Sequence, residues 1–462
     1  MGGLRGPLDA PANRVTSHEM NLQSIVVELI DVCNLNCAYC LRDEGTLHGR
    51  PHALPITDLI RALQEARTLS ETCEVQFTGG EPTLHPEFRL AVKAVHDVGW
   101  RFTVITNGWI FGRVLPVILE FRDSLAAIAF SLDGVTREEH DGIRGQGSFE
   151  RLMRGVMSCR HNGLAFDLKV TLDRSRAGRL SEFATFAAKL GARSLQVATL
   201  LPTSPGLAGQ VLSIEQQQEI LREISQLRTV LRLEIQVAAD FYDTRPVPRC
   251  GPLLGRSLNI DYRGRLVLCT TLVGFRGQQG ERDVIANLTG TSLLEALPRL
   301  SEIANERNLD RTRAFARLGA DAGRPSLSLG SPCLDCLFSF DKIPRGSISS
   351  SQEKKPMHDS LSFTIPDSII ASEFNGKEGL LLDTSTQRYH TLNETATFLW
   401  SEIEAGRTLS EMTTALCRAF AVDPPRARAS IENAITRLES QSLIKRKSDL
   451  EAPDATRAAE AR

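Results

Sequence analysis

From residue 24 to about 202 the chain alternates short apolar or β-branched runs with longer amphipathic segments. Such alternation between two periods constrains a chain to build repeated βα units around a parallel sheet. Six runs recur: 24–30, 74–78, 102–106, 127–132, 166–172 and 194–201. Between the first two lies a helical pattern over 56–69, with Leu59, Ile60, Leu63 and Ala66 on one face. The expected fold class is therefore α/β, with a six-unit β/α sheet as its frame. At 462 residues and 42% apolar content, the chain has room for two or three domains. Its formal net charge of -2 argues against a large basic surface for nucleic acid or acidic lipid. No uninterrupted apolar run of about eighteen residues suits a membrane span. The first twenty residues contain no signal-like run, so a cytoplasmic, reducing setting is expected for the ten cysteines.

The stretch 203–340 reads differently, with one helical pattern at 213–231, a hairpin of 258–260 and 266–268 turning through Asp261 to Gly264, and otherwise irregular chain. Residues 341–358 carry four serines and Lys354-Lys355-Pro356, a linker composition. Beyond it, the runs 369–374, 379–383 and 388–392 suggest a small meander. Three helices follow, capped by Asn393, by Thr408 and by the start at Pro424-Pro425.

Cys33, Cys37 and Cys40 stand directly after the first run, where the C-terminal end of a parallel strand opens into the crevice used for ligands. Three thiolates can hold three irons of a 4Fe-4S cube and leave the fourth iron open. A structural zinc site is the alternative, although zinc loops usually close all four positions with two separated pairs of ligands. On their own, Gly79-Gly80-Glu81-Pro82 and Ser131-Leu132-Asp133-Gly134 are ordinary turns. In order behind the cysteine loop they resemble a known pattern.

The CX3CX2C loop after the first strand resembles the signature of radical S-adenosylmethionine enzymes. The resemblance implies a partial (β/α)6 barrel in which Cys33, Cys37 and Cys40 hold the catalytic 4Fe-4S cluster. It places Gly79, Gly80, Glu81 and Pro82 at the methionine amino group, Tyr39 near the adenine, and Ser131 near the ribose or carboxylate. It sets Arg144 facing the carboxylate, with Asn107 and Asp133 completing the cofactor-binding residues. It also implies a one-electron reductase such as flavodoxin or ferredoxin, and a 5'-deoxyadenosyl radical that abstracts hydrogen from substrate.

Cys250, Cys269, Cys333 and Cys336 form a second set, the first two across a Gly264 turn and the last two as CX2C. Spacing alone suits zinc. In context it resembles a SPASM or twitch module, which implies one auxiliary 4Fe-4S cluster on those four residues. The further cysteines of a complete SPASM domain are missing between Leu337 and Arg345. Cys73, Cys159 and Cys417 sit in periodic apolar segments and read as packing residues.

The C-terminal motifs, among them Gly379-Leu-Leu-Leu-Asp383, Tyr389 to Ala396, Trp400 and Thr408 to Glu411, resemble the PqqD-like peptide chaperone. That family implies a winged-helix-like fold that binds a precursor's leader as an added strand. Here the edge would be 388–392, with Tyr389, Arg428 and Ile431 lining pockets. The expected division is 1–20 flexible, 21–205 barrel, 206–340 auxiliary-cluster module, 341–358 linker, 359–448 PqqD-like domain and 449–462 tail. The favoured function is modification of a ribosomally made precursor peptide, and the alternative is a small-molecule radical enzyme. Asp240 and Asp261 are possible proton acceptors, or simply solvated or capping carboxylates.

Overall fold

A computed structural model describes residues 21–41, 51–202, 205–238, 240–273, 281–318, 325–343, 361–374, 378–385, 388–440 and 443–446. The expected N-terminal segment 1–20, the tail and nearly all of the linker lie outside the described residues. The chain divides into two compact units, Met1–Ser349 and Ser350–Arg462.

The first unit is built in chain order from β1 (Ser24–Ile30), α1 (Ile56–Ala66), β2 (Glu74–Gly79), α2 (Phe88–Asp97), β3 (Arg101–Thr106), α3 (Phe111–Glu120) and β4 (Leu125–Ser131). There follow α4 (Arg137–Arg144), α5 (Ser148–His161), β5 (Phe166–Leu172), α6 (Leu180–Leu190), β6 (Ser194–Thr199), α7 (Ile214–Val230) and β7 (Glu234–Val237). The unit ends with β8 (Ser257–Ile260), β9 (Arg265–Val267), β10 (Val284–Asn287), α8 (Leu293–Leu318), α9 (Leu327–Gly330) and α10 (Pro332–Ser339).

All six expected runs are strands, and β1 to β7 pair in sequence order as parallel neighbours. Parallel strands covered on both faces lose their alternation, which is why Leu125 to Phe130 in β4 are all buried. The face of α1 is Ile56, Leu59, Ala62, Leu63 and Ala66, whereas Ile60 is 38% exposed. The sequence pattern placed Ile60 inside because it adjoins Leu59, yet one step of about 100° turns it to the rim.

The segment after β7 does not stand apart. β8 lies parallel to the other side of β1, with Ser24 opposite Ser257 and Val27 opposite Ile260, and β9 and β10 extend the sheet antiparallel. One ten-stranded sheet results, ordered β10-β9-β8-β1-β2-β3-β4-β5-β6-β7. The supposedly irregular chain before Cys333 contains the 26-residue α8, whose Leu293, Leu297, Leu300 and Ile303 are buried in the common core. Frequent Arg and Glu on its outer face had masked that stripe. Among the described residues no helix is long and apolar enough to cross a membrane.

The second unit contains β11 (Phe363–Thr364), β12 (Ile369–Phe374), β13 (Glu378–Asp383), β14 (Arg388–Leu392), α11 (Glu394–Glu404), α12 (Leu409–Phe420), α13 (Pro424–Ser440) and β15 (Lys445–Arg446). Strands β12, β13 and β14 form an antiparallel meander, and β11 pairs with β15. Asn393 caps α11 through Ala396 N, and Thr408 with Glu411 makes a capping box on α12, as the motifs predict. Ile431 does not line a surface pocket: it is 0% exposed and packs with Trp400, Met412 and Leu416 in the unit's core. Arg428 pairs with Glu432 at 3.1 Å, and the side chain of Tyr389 lies outside the described residues. Cys73 and Cys159 are buried, and Cys417 is half-buried against the second core.

Candidate functional site

The loop carrying Cys33, Cys37 and Cys40 springs from the C-terminal end of β1 and is tied down by its own backbone and by β3. Cys40 N donates to Cys37 O at 3.0 Å, and Leu35 N donates to Cys33 Sγ at 3.4 Å. Asn107, 6% exposed beyond β3, donates from Nδ2 to Asn34 Oδ1 at 3.0 Å and toward Cys33 Sγ at 3.6 Å. Before the loop, buried Asp31 accepts from His52 N at 2.9 Å.

The glycine pair has a physical reason within the fold as well. Gly80 N donates to Ile30 O and Glu81 N to Val32 O, so the end of β2 lies against the backbone that leads into the cysteine loop. A Cβ on Gly79 would stand 2.4 Å from Ile30 O, and one on Gly80 2.0 Å from Val32 O. Gly79 also has φ +134°, which side chains rarely adopt. Glu81 is 1% exposed and accepts from Thr83 Oγ1 at 2.6 Å, Thr106 Oγ1 at 2.7 Å and Asn107 N at 2.8 Å. Burial pushes its carboxyl up, and those donors pull it back. Glu81 thus stitches β2 to β3, and Pro82 opens a single 3-10 turn behind it.

Tyr39, Asp133 and Arg144 come from separate motifs and meet. The Asp133 carboxylate accepts from Tyr39 Oη and Arg144 Nε, and from Arg176 Nη1 at 3.3 Å, while Arg144 Nη2 donates to Tyr39 Oη at 2.8 Å. Burial works to raise the Asp133 carboxyl, yet the Arg144 and Arg176 guanidiniums outweigh it and hold the group below its ordinary range. With Asp133 against it, the Arg144 charge is already neutralised. Its side chain fixes Tyr39, and hence the cysteine loop, to the end of β4. Ser131 closes β4, half-buried beside this cluster. Buried His140 accepts from Asp133 N at 3.2 Å, and burial lowers it to about 4, so it is neutral. Asp141 gathers Gly147 N, Ser148 Oγ and Phe149 N at 2.8 to 3.0 Å and so caps the start of α5. Arg176 was not singled out in the sequence, because no motif surrounds it.

The second set also gathers. Cys333 and Cys336 lie in the first turn of α10, one face apart by i, i+3, with Ser331 as the cap. The Cys333 thiol is pushed up by burial and by Asp240, Cys269, Cys250 and Cys336, so all four thiols act on one another. Cys33, Cys37 and Cys40 likewise influence one another, and burial pushes Cys33 up to about 12. Among the described residues no three His, Cys, Asp or Glu side chains close on one another tightly enough to hold a metal ion. Two half-buried, all-thiol donor sets nonetheless fit thiolate-ligated iron-sulfur centres in chemistry, and loading either set must displace protons.

Asp261 is the turn carboxylate of the β8–β9 hairpin, accepting from Arg263 N at 3.0 Å and Arg265 N at 2.9 Å, and does not face the site. Asp240 accepts from Thr199 N at 2.7 Å through Oδ2, whereas its Oδ1 is buried with no hydrogen-bond partner among the described residues. Burial raises its carboxyl to about 6. Lys169 on β5 is near enough to pull that value down.

Comparison with known proteins bears on both units. Residues 27–172 match the radical SAM superfamily, and residues 378–444 match coenzyme PQQ synthesis protein D. The mycofactocin maturase MftC of Mycobacterium tuberculosis is 33% identical over 54% of this chain and 61% of that protein. The AdoMet-dependent heme synthase of Oleidesulfovibrio alaskensis is 26% identical over 52% and 63%. The PqqA peptide cyclase of Ruegeria pomeroyi is 28% identical over 53% and 67%. The chain therefore spans about three fifths of the length of the curated relatives it matches. A solved structure of anSMEcpe with bound AdoMet superposes with TM-score 0.51 at 14% identity, covering 69% of this chain and 96% of that one, a likeness of fold.

Proposed function

Since residues 27–172 are a radical SAM domain and residues 378–444 a PqqD domain, we propose that the chain cleaves S-adenosylmethionine reductively to modify a ribosomally made precursor peptide. The PqqD domain would recruit the leader of that peptide. The observation that carries this reading is the presence in one chain of a three-thiol loop clamped at the end of β1 and a leader-binding type of fold. In it, Cys33, Cys37 and Cys40 hold the catalytic 4Fe-4S cluster, and Cys250, Cys269, Cys333 and Cys336 hold one auxiliary cluster. Gly79, Gly80, Glu81, Pro82, Asn107, Ser131, Asp133, Tyr39 and Arg144 surround the cofactor. When bound, these groups supply the electron and the radical that takes hydrogen from substrate. The chain's own contribution is placement: Asn107 orients Cys33, Glu81 fixes the strand ends, and the Tyr39, Asp133 and Arg144 cluster holds the loop in a buried setting that excludes water. We further propose a cytoplasmic setting, and a flavodoxin or ferredoxin as electron donor.

A small-molecule substrate is the second reading, favoured by the likeness of the first unit to an AdoMet-dependent heme synthase. The peptide cyclase and the PqqD domain favour the first. The deciding experiment incubates reconstituted, reduced chain with the precursor peptide encoded beside its gene and weighs the peptide by mass spectrometry. A mass change that depends on S-adenosylmethionine is expected. Sustained formation of 5'-deoxyadenosine with an unmodified peptide would transfer support to the small-molecule reading.

A further inference from the structure

Beside the second cysteine set, α8 and α10 border an open cleft of about 300 Å³, lined by Arg307, Arg311, Arg313, Arg317, Asp310 and Asp335. Four guanidiniums face two carboxylates there, in a chain whose net charge is -2. Two of the four are engaged in the fold. Arg311 is 2% exposed, donates to Asp243 O at 2.8 Å and lies over the Phe315 ring, and Arg307 pairs with Asp335 at 2.9 Å. The other two face outward. Arg313 is 60% exposed and reaches Asp310 only at 3.8 Å, and Arg317 is exposed with no ion pair among the described residues. The helix dipole favours a basic residue in the last turn. It does not account for arginines at four positions between 307 and 317, facing one cleft.

One wall of this cleft is α10, the helix that carries Cys333 and Cys336. Asp335, the partner of Arg307, immediately precedes Cys336, and Ser339 of the same helix also lines the cleft. A positive surface beside the helix that carries two thiols suits a protein that is negatively charged and must bring a redox group close.

We propose that this cleft docks a small acidic one-electron carrier protein, of the flavodoxin or ferredoxin class, which passes its electron to the centre held at Cys336. The carrier is oxidised by one electron and the centre reduced by one, with no bond made or broken and no proton moved. This rests on the radical-enzyme reading above and adds where the required electron enters.

The test titrates full-length, iron-reconstituted chain with an acidic bacterial flavodoxin by calorimetry, at low and at physiological ionic strength. Arg313→Glu/Arg317→Glu is expected to raise Kd about tenfold at low salt, and Arg313→Lys/Arg317→Lys to bind within about twofold of the wild type, since the charge survives. Salt is expected to weaken the wild-type complex and to leave the charge-reversed one nearly unchanged. Cleavage of S-adenosylmethionine driven by dithionite, which needs no docking, is expected to be equal in all three chains. An unchanged Kd after charge reversal overturns the proposal. So does loss of dithionite-driven cleavage in the charge-reversed chain alone, and so does a short poly-glutamate peptide that binds as tightly as the carrier. Failure of the wild type to cleave with dithionite would instead defeat the radical-enzyme reading, which the binding titration does not measure.

Discussion

Cys33, Cys37 and Cys40 are useful only as a set, because a 4Fe-4S cluster needs three thiolates from one loop to leave a single iron open. Anaerobic reconstitution of the wild type is expected to give about eight irons per chain, from two four-iron clusters. Replacing the three together by Ala should leave about four, read by iron analysis. Saturation at four irons with one zinc would refute the auxiliary cluster. Asp240 allows a sharper test of burial. Its folded carboxyl is raised from 3.8 to about 6, so the native state binds that proton more tightly than the unfolded chain does. Stability contributed by this group is therefore present at low pH and lost as pH rises from about 4 to 6. Asp240→Asn in the iron-free chain should raise Tm at pH 7, by at most about 3 kcal/mol of stability, and leave Tm nearly unchanged at pH 4. Equal shifts at both pH values would show that the buried charge is not the cause. The role of Glu81 was legible as a motif but not as a mechanism, since the Thr106 and Asn107 donors it collects are brought to it only by the pairing of β2 with β3.

At the scale of elements, β14 pairs on one side with β13, with Thr391 opposite Leu380, and ends the three-strand order of its sheet. A leader that joins as a strand needs the backbone groups of such an outer strand, and proline removes a donor there. Thr391→Pro is expected to weaken leader binding to residues 355–448 at least about tenfold, equivalent to about 1.4 kcal/mol. A circular-dichroism spectrum that stays native beside unchanged calorimetric binding would exclude strand addition at this edge. The helices of this unit announced themselves through Asn393, Thr408 and Pro424, whose capping chemistry is local. By contrast, α8 was invisible because its buried stripe is diluted by exposed charges, and only the sheet it covers shows which of its faces is apolar.

At the scale of the whole molecule, the division between Ser349 and Ser350 separates the cysteine sets from the PqqD domain. A chain ending near Ser350 should therefore fold, load iron and still form 5'-deoxyadenosine in the uncoupled reaction, measured by chromatography. A folded, iron-loaded truncation without any cleavage would contradict that division of labour. The sequence by itself determined the six βα units, the three-thiol loop, the capped helices and the presence of two functional modules, since each is written in spacing along a few dozen residues. Only the tertiary structure decided that β8 docks on β1 to make one ten-stranded sheet. It alone brought Tyr39, Asp133, Arg144 and Arg176 to one point and set the arginines of α8 against Asp335. The reason is physical: period and capping act within a few turns of chain. Which buried charge meets which partner depends instead on how distant strand ends pack, and no local pattern encodes that.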